Sequence, residues 1–290
     1  MNAERDSALT RLRKQFHERL VHESLWIDQA GNPTISDSSN ELSRLIGADL
    51  VERLGGDKAQ DRRTGQGAGR DFERACTDFV RAALERLAHV RPGTWKVDSL
   101  ANPRGVGIAA YQQYAHLTSL KAATERDPAL AAALGSDYFV APDIVVSREP
   151  EPDTRINGGD LLVDGHSGTL SGLRVGAGRL PILHAVISCK WTIRSDRAQN
   201  ARTEALNLIR NRKGRVPHIC VITAEPLPSR ISSIALGTGD IDCTYHIALP
   251  ELVEAVKAAA GNGDAMAKLS VMIDGERLRD IADLPLDIAT

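Results

Sequence analysis

The stretch that decides the fold joins three unlike pieces: LPILHAVISCKW (180–191), DRAQNARTEALNLIRNRKG (196–214) and VPHICVITAE (216–225). The first and last pieces are nearly continuous apolar runs of strand length, which is typical of strands buried on both faces. The middle piece has the apolar spacing of a helix and closes on Gly214. Strands that alternate with helices in this way predict an α/β core.

Neighbouring segments extend this pattern on both sides. Strands are predicted in YFVAPDIVVS (138–147) and IDCTYHIAL (241–249), and a last helix in PELVEAVKAAAG (250–261). On the N-terminal side, the apolar spacing predicts helices over residues 3–22 and 71–90. The sequence therefore predicts an α/β fold with a mixed central β-sheet flanked by helices.

No linker is long enough to require two domains, so residues 1–290 are expected to form a single domain. Within it we distinguish an N-terminal helical and loop part over 1–65 and a core over 66–290. The tract DKAQDRRTGQGAGR (57–70) reads as an exposed loop because it is rich in glycine and charged residues.

The charge composition restricts how the protein could bind nucleic acid. The formal net charge is -2, so the protein as a whole has no basic field, and any contact with nucleic acid must depend on a local patch. Such a patch exists between residues 190 and 215, where eight Lys or Arg residues face only Asp196 and Glu204.

Compartment and redox state follow from the cysteines and the N-terminus. Cys76, Cys189, Cys220 and Cys243 form no CxxC pair, and buried free thiols are the expected state of the three that lie in apolar runs. The N-terminus is charged throughout, and no run of about 18 apolar residues occurs. We expect a protein of the reducing cytoplasm.

Two predicted strands each carry a charged residue that an apolar strand does not explain. Asp143 lies in VAPDIVV, and Lys190 ends HAVISCK. Burying either charge alone costs several kcal/mol. Both positions are explained if the strands lie side by side and the two charges meet at a cleft around a metal ion and a phosphate.

Phosphodiester cleavage requires such a set of groups. Carboxylates hold one or two Mg²⁺ ions, the metal activates a water, and a lysine lies beside the same phosphate. This arrangement resembles the PD-(D/E)xK nuclease superfamily, although Ser188 stands where the pattern has an acid. The acid is expected from Glu204 on the following helix. A further candidate, Glu73, has an alternative interpretation as an acid favoured by a helix N-terminus.

The chain is similar to the CCGG-cutting group of type II restriction endonucleases. The resemblance begins near residue 65 and is weaker before it. It is carried by the following segments: PD at 142–143, SCKWTIRSDRAQNAR at 188–202 with Glu204, NRKGRVPHICVITAEPLPSRISSIALGTGDIDC at 211–243, AYQQYAHLT at 110–118 and AALGSDY at 132–138.

The resemblance implies roles for individual residues. Asp143 matches the aspartate that binds the metal, and the backbone carbonyl of Cys189 matches a second oxygen ligand. Lys190 matches the catalytic lysine. The remaining active-site positions match Ser188, Glu204 and Glu73, with Glu204 as a metal ligand and Mg²⁺ as the cofactor.

Base reading is expected directly after the catalytic strand. Two parallel donors of arginine match O6 and N7 of guanine, and aspartate accepts from N4 of cytosine. Arg194, Asp196 and Arg197 therefore fit a GG/CC step, and in the group this segment reads CCGG. A different interpretation makes Asp196 a helix cap.

Outer contacts are implied by the resemblance alone. Arg230 matches the arginine that contacts the outer G·C pair, and Asp37 aligns with its cytosine partner. Ser39 and Gln66 align with contacts in the minor groove. DSSN, which contains Ser39, is equally explained as an ordinary turn.

The expected function is hydrolysis of double-stranded DNA at GCCGGC or a close palindrome that contains CCGG, leaving 5′-phosphates and 5′ overhangs. A palindrome requires two-fold symmetric subunits, hence a dimer at least, and the resemblance implies a homotetramer, a dimer of dimers that binds two sites. The alternatives are a PD-(D/E)xK repair or junction nuclease, or a non-catalytic DNA-binding regulator.

Overall fold

A computed structural model of the chain describes residues 6–56, 65–100, 107–134, 140–176, 179–237, 239–261 and 263–290. The strands are β1 (Trp95–Ser99), β2 (Ile144–Arg148), β3 (Ile182–Lys190), β4 (His218–Thr223), β5 (Cys243–His246) and β6 (Leu278–Asp280). The α-helices are α1 (Ala8–Glu23), α2 (Glu41–Arg53), α3 (Gly65–Arg86), α4 (His116–Arg126), α5 (Pro128–Leu134), α6 (Asp153–Ile156), α7 (Ser195–Asn211), α8 (Pro228–Ala235), α9 (Leu249–Ala260), α10 (Asp264–Asp274) and α11 (Leu284–Asp287). Two 3₁₀ turns, Gly107–Ala110 and Gln112–Tyr114, precede α4.

The strands form one sheet in the order β1-β2-β3-β4-β5-β6 within the described residues. β1, β2 and β3 pair antiparallel, whereas β3, β4, β5 and β6 pair parallel. The predicted mixed sheet flanked by helices is therefore confirmed. A parallel pair needs a crossover, and α7 supplies it between β3 and β4.

Apolar side chains cover both faces of the central strand, β3. Alternate residues of a strand point to opposite faces, so Ala185 and Ile187 join one buried cluster while Val186 joins the other. The first cluster lies beneath α1, α2, α3 and α9, and the second beneath α4 and α7. Burial on both faces explains why β3 and β4 have few polar residues before their ends.

The N-terminal helices are part of this same core. α1 packs on α3, and α2 packs on α9. Arg13 of α1 joins the two ends of the chain, since it donates to Glu251 at 2.6 Å and to Asp280 at 2.8 Å. No helix among the described residues combines the length and apolarity that a transmembrane span requires.

The helix predicted over residues 71–90 has different bounds. α3 begins at Gly65, inside the tract 57–70 that was expected to be a loop, and ends at Arg86. Its apolar stripe is buried against α1 and the sheet from Ala68 onward, and this packing outweighs the low helix propensity of the glycines. Residues 57–64 lie outside the described residues.

The C-terminal region contains more elements than the sequence predicted. The helix over 250–261 is not the last, since α10 follows and packs on α8 and α9. α8 starts at Pro228, and β6 forms an edge of the sheet. These elements are short and have weak sequence patterns, since tertiary contacts rather than local propensity stabilise them.

Candidate active site and DNA-reading pocket

The register of β2 and β3 brings Asp143 to the end of β3. Ile144 pairs with Ile187, so Asp143, one residue earlier, comes opposite Ser188. Its Oδ2 accepts a hydrogen bond from the backbone N–H of Cys189 at 2.6 Å. The Nζ of Lys190 lies 3.9 Å from the same oxygen. The two charges singled out in the sequence therefore meet.

Lys190 is held by the strand on its other side. β3 and β4 pair in parallel with Lys190 beside Thr223, whose hydroxyl donates to the Lys190 carbonyl at 2.8 Å. The Lys190 side chain is 16% exposed. Since both its backbone and its carboxylate partner are fixed, the ammonium is preorganised at the open end of the strands.

Two further carboxylates lie close enough to sense these charges. Burial raises the pKa of Glu204 on α7; Lys190 lowers it and Asp143 raises it. Burial also raises the pKa of Glu73 on α3, against a hydrogen bond from the Ser99 hydroxyl, and Asp143 raises it further. Glu73 and Glu204, from two different helices, thus both lie near Asp143, and Glu204 also lies near Lys190.

The position of Glu73 contradicts its alternative interpretation as a helix N-terminal acid. α3 begins at Gly65, so Glu73 lies about two turns inside the helix. The favourable field of a helix N-terminus is confined to the first turn, so the interpretation of Glu73 as an N-terminal acid is wrong.

Ser188 and Cys189 are the two residues of β3 that precede Lys190. Ser188 is buried on β3. Burial, together with a hydrogen bond to Cys76, raises the pKa of the Cys189 thiol. The thiol therefore stays neutral, and the oxygen of its backbone is the group that this residue offers to a hard cation. Cys76, Cys189, Cys220 and Cys243 are all free, as expected.

A divalent cation needs several donor atoms gathered at one place. Within the described ranges, no three His, Cys, Asp or Glu side chains are gathered closely enough to hold a metal ion by themselves. The donors near Lys190 are nevertheless oxygens, which hard cations prefer. Burial raises the pKa values of Glu73 and Glu204, and a bound cation would stabilise their charged forms. This chemistry fits a divalent metal.

The segment expected to read bases follows closely on β3, since α7 starts at Ser195. Arg194 is exposed and occupies the N-cap position of α7, so the interpretation of Asp196 as the cap residue is wrong. Asp196 and Arg197 form part of the first turn of α7; their side chains lie outside the described residues. The backbone thus projects this turn from the end of β3.

A pocket of about 670 Å³ opens beside this turn. It brings together Arg194, Arg230, Asp37 and Ser39, which the resemblance had placed at the DNA from three distant parts of the sequence. The remaining lining residues are Ile193, Gln199, Arg202, Ser229 and Ser233. Gln66 lies in the first turn of α3, and its side chain is outside the described residues.

Asp37 and Arg230 are in direct contact across the pocket, although 193 residues separate them. Asp37 also accepts hydrogen bonds from the Ser39 hydroxyl at 2.7 Å and the Ser39 backbone N–H at 3.0 Å. These bonds from Ser39, followed by Arg230, lower the pKa of Asp37 to about 2. An arginine beside a carboxylate matches the neighbouring guanine and cytosine edges of one base pair.

Two residues near the pocket were missed in the sequence. Arg202 donates to Asp240 at 2.5 Å and to the Ser233 carbonyl, so it anchors α8. Glu225, fully buried, follows β4 and lies 3.9 Å from Arg230. A signal for Glu225 existed, since an acid at the end of the apolar run VPHICVITAE resembles Lys190 at the end of β3.

Comparison with known proteins agrees with this geometry. A family model described as NgoMIV restriction enzyme matches residues 16–290. The type II restriction enzyme NgoMIV of Neisseria gonorrhoeae is 51% identical over 281 residues, which cover 97% of this chain and 98% of that protein. The resemblance to type II restriction endonucleases is confirmed, and with it the enzyme class. The chain therefore belongs to the NgoMIV restriction enzyme family.

Proposed function

We propose that this restriction enzyme recognises GCCGGC, or a close palindrome that contains CCGG, and hydrolyses both strands in a Mg²⁺-dependent reaction that leaves 5′-phosphates and 5′ overhangs. Restriction enzymes act on double-stranded DNA and generally use a divalent metal. The observation that carries the proposal is the contact of Asp143 with Lys190, 3.9 Å apart, beside a pocket lined by Arg194 and Arg230.

Lys190 is the side-chain cation that lies beside the scissile phosphate. Its ammonium lies at the open end of β3, with its backbone held by Thr223 and its charge next to Asp143. In this position it stabilises negative charge on the phosphate and polarises the attacking water. Glu73 and Glu204 sense the charge of Asp143, so they lie at the same end of the sheet.

The metal would be held by Asp143, Glu204 and the carbonyl oxygen of Cys189, with Ser188 and Glu73 completing the site. When bound, the metal supplies activation of a water and neutralisation of phosphate charge. Asp143 is oriented for this task because the Cys189 N–H fixes one of its oxygens at 2.6 Å. One or two Mg²⁺ ions are proposed for each site.

Sequence recognition is proposed to be divided between two sets of residues. Arg194, Asp196 and Arg197 read the inner CCGG. Arg230 and Asp37 read the outer G·C pair, and Ser39 and Gln66 contact the minor groove. The contact between Arg230 and Asp37 supports the second set, because the two partners of a G·C pair need adjacent donors and acceptors.

A symmetric assembly is proposed because one subunit cannot treat both halves of a palindrome alike. Between α6 and β3, the side chains of Leu161, Leu162, Leu170 and Val175 are exposed, with Leu170 88% exposed. Contiguous exposed apolar surface is typical of protein interfaces. They support a contact with a second copy within a dimer or tetramer, which sedimentation analysis of a Leu170→Asp variant would test.

The test is a digest of plasmid and phage DNA with Mg²⁺, followed by sequencing of the cut ends. Ends that map to GCCGGC with 5′ overhangs are the expected result. Ends that follow branches or flaps rather than a sequence would favour a structure-specific nuclease. Specific binding without any cleavage would favour a DNA-binding regulator.

A further inference from the structure

Glu225 is a buried carboxylate to which the proposed chemistry gives no task. It follows β4 by two residues, and its side chain is fully buried. A lone buried carboxylate is costly, so its partners account for its presence. Both oxygens accept hydrogen bonds from backbone N–H groups, and the Nη1 of Arg230 lies 3.9 Å away.

The two backbone partners of Glu225 belong to the two halves of the reading pocket. Oε2 accepts from the N–H of Ile193 at 2.8 Å, the residue directly before Arg194. Oε1 accepts from the N–H of Leu227 at 3.1 Å, the N-cap residue of the helix that carries Arg230. One rigid carboxylate therefore ties the start of α7 to the start of α8.

The same network reaches the catalytic strand. The backbone N–H of Glu225 donates to the Thr223 hydroxyl at 3.1 Å, and that hydroxyl donates to the Lys190 carbonyl at 2.8 Å. Since Thr223 is also fully buried, water does not compete for these bonds. The positions of Lys190, Arg194 and Arg230 thus depend on one chain of hydrogen bonds.

We propose that Glu225 is a positioning residue that sets the spacing between the arginine reading the inner base pairs and the arginine reading the outer pair, and thereby determines specificity. This inference rests on the proposed function, since Glu225 itself touches no base. Its effect is geometric: a small displacement of either arginine weakens a bidentate contact, which depends on two aligned donors.

The test is the pair of variants Glu225→Gln and Glu225→Asp. Glutamine keeps the shape but offers one acceptor oxygen and an NH₂ group, so one backbone N–H loses its acceptor. Aspartate keeps both acceptors but is one methylene shorter. Values of kcat/KM are measured on duplexes with GCCGGC, with the outer pair changed (ACCGGT) and with the inner pairs changed (GCATGC).

For Glu225→Gln, we expect the preference for GCCGGC over both altered duplexes to fall about tenfold, within the range that one bidentate contact supplies. Hydrogen exchange of the Ile193 and Leu227 amides should become faster. The control is Tyr245→Phe, which removes a partly buried hydrogen bond of 2.7 Å from Tyr245 on β5 to Asp287 on α11. It should lower stability and leave both preferences unchanged.

Three results would overturn the inference. Preferences that stay at the wild-type level while the two amides exchange faster would show that the contacts do not control reading. If Tyr245→Phe showed the same fall in preference for GCCGGC, the effect would be due to lost stability alone. Failure of both Glu225 variants to fold would make the role purely structural. If the wild-type protein showed no preference for GCCGGC, the proposed function itself would be refuted. The wild-type measurement therefore distinguishes failure of the proposed function from failure of the inference about Glu225.

Discussion

Carboxylates at the catalytic end of the strands and in the reading pocket are treated differently by their surroundings. Near Lys190, burial raises the pKa values of Glu73 and Glu204, and Asp143 raises both further. In the reading pocket, Ser39 and Arg230 lower the pKa of Asp37 to about 2. The first region gathers carboxylates around one lysine, whereas in the second the carboxylate of Asp37 is paired with Arg230.

This difference indicates what each region lacks in the free protein. The catalytic end needs further positive charge before its carboxylates are stable together, which is the condition for binding a cation. In the pocket, Asp37 and Arg230 are already paired, so the proposed function requires Arg230 to exchange a carboxylate for a guanine edge when DNA binds. Binding of metal and reading of bases are thus separable, and substitutions can test each in turn.

The largest effect is expected for Asp143→Ala and Lys190→Ala. Each removes a group that acts on the phosphate or the metal, so cleavage should fall on the order of 10³-fold or more while DNA binding persists. Single-turnover cleavage and fluorescence anisotropy on one GCCGGC duplex measure the two quantities. Lys268→Ala, which removes an exposed lysine paired with Asp264, is the control and should cleave normally. Undiminished cleavage by either active-site variant contradicts the mechanism.

A smaller effect is expected for Arg194→Ala. The variant should lose about 1–3 kcal/mol of discrimination for the inner base pairs, because one bidentate contact to guanine is removed. Competition binding between GCCGGC and GCATGC duplexes measures it. Arg53→Ala, which breaks an exposed pair with Asp49 on α2, removes the same charge elsewhere. Equal loss of affinity for both duplexes in Arg194→Ala would make this residue a phosphate contact.

For Asp37→Asn, we expect about a tenfold loss of preference for the outer G·C pair, because the amide offers weaker acceptance to cytosine and releases Arg230. The preference for GCCGGC over ACCGGT measures it. Asp49→Asn, in an exposed pair on α2, is the matched control. In a double-mutant cycle, Asp37→Asn and Arg230→Ala should be non-additive, since the two side chains are in contact. If the effects of the two substitutions on this preference were strictly additive, Asp37 and Arg230 would act independently of each other.

The smallest effect concerns stability and pH. Burial is the largest cause that raises the pKa of Glu225, to about 7 from an ordinary 4.5, against hydrogen bonds from Ile193 and Leu227. A raised carboxyl pKa stabilises the fold fully below pH 4.5, and this contribution is lost as the pH rises through about 7. Between pH 6 and 8 the loss is about 1 kcal/mol.

Urea denaturation of wild type and Glu225→Gln at both pH values measures this difference. The variant should show a flatter dependence on pH, because glutamine does not titrate. His246 is buried beside β6, and burial lowers its pKa to about 4, so it stays neutral over this range in both proteins. An unchanged slope in the variant would place the titrating group elsewhere.

The site residues that the sequence reveals are charged residues inside apolar runs, where the free-energy cost of burial is evident from the neighbouring residues. Asp143 and Lys190 are conspicuous because a charge inside an apolar strand needs a partner. The alternative interpretation of Glu73 as a helix N-terminal acid failed because the start of α3 depends on packing rather than on a local signal. Glu225 was missed, although it follows the apolar strand β4 much as Lys190 ends the apolar strand β3. Asp37 was placed by resemblance alone, since a turn residue carries no local sign of its partner.

The amino-acid sequence by itself determined the α/β class, the central strands, the helix between them and the residue types of a metal-dependent nuclease. These features depend on periodicity and on the chemistry of single side chains, both of which are local. Tertiary structure decided which distant residues meet: the register of β2 on β3 joins Asp143 to Cys189 across 46 residues, and α8 brings Arg230 to Asp37 across 193. Strand pairing and packing set these contacts, because no short stretch of sequence specifies its remote partner.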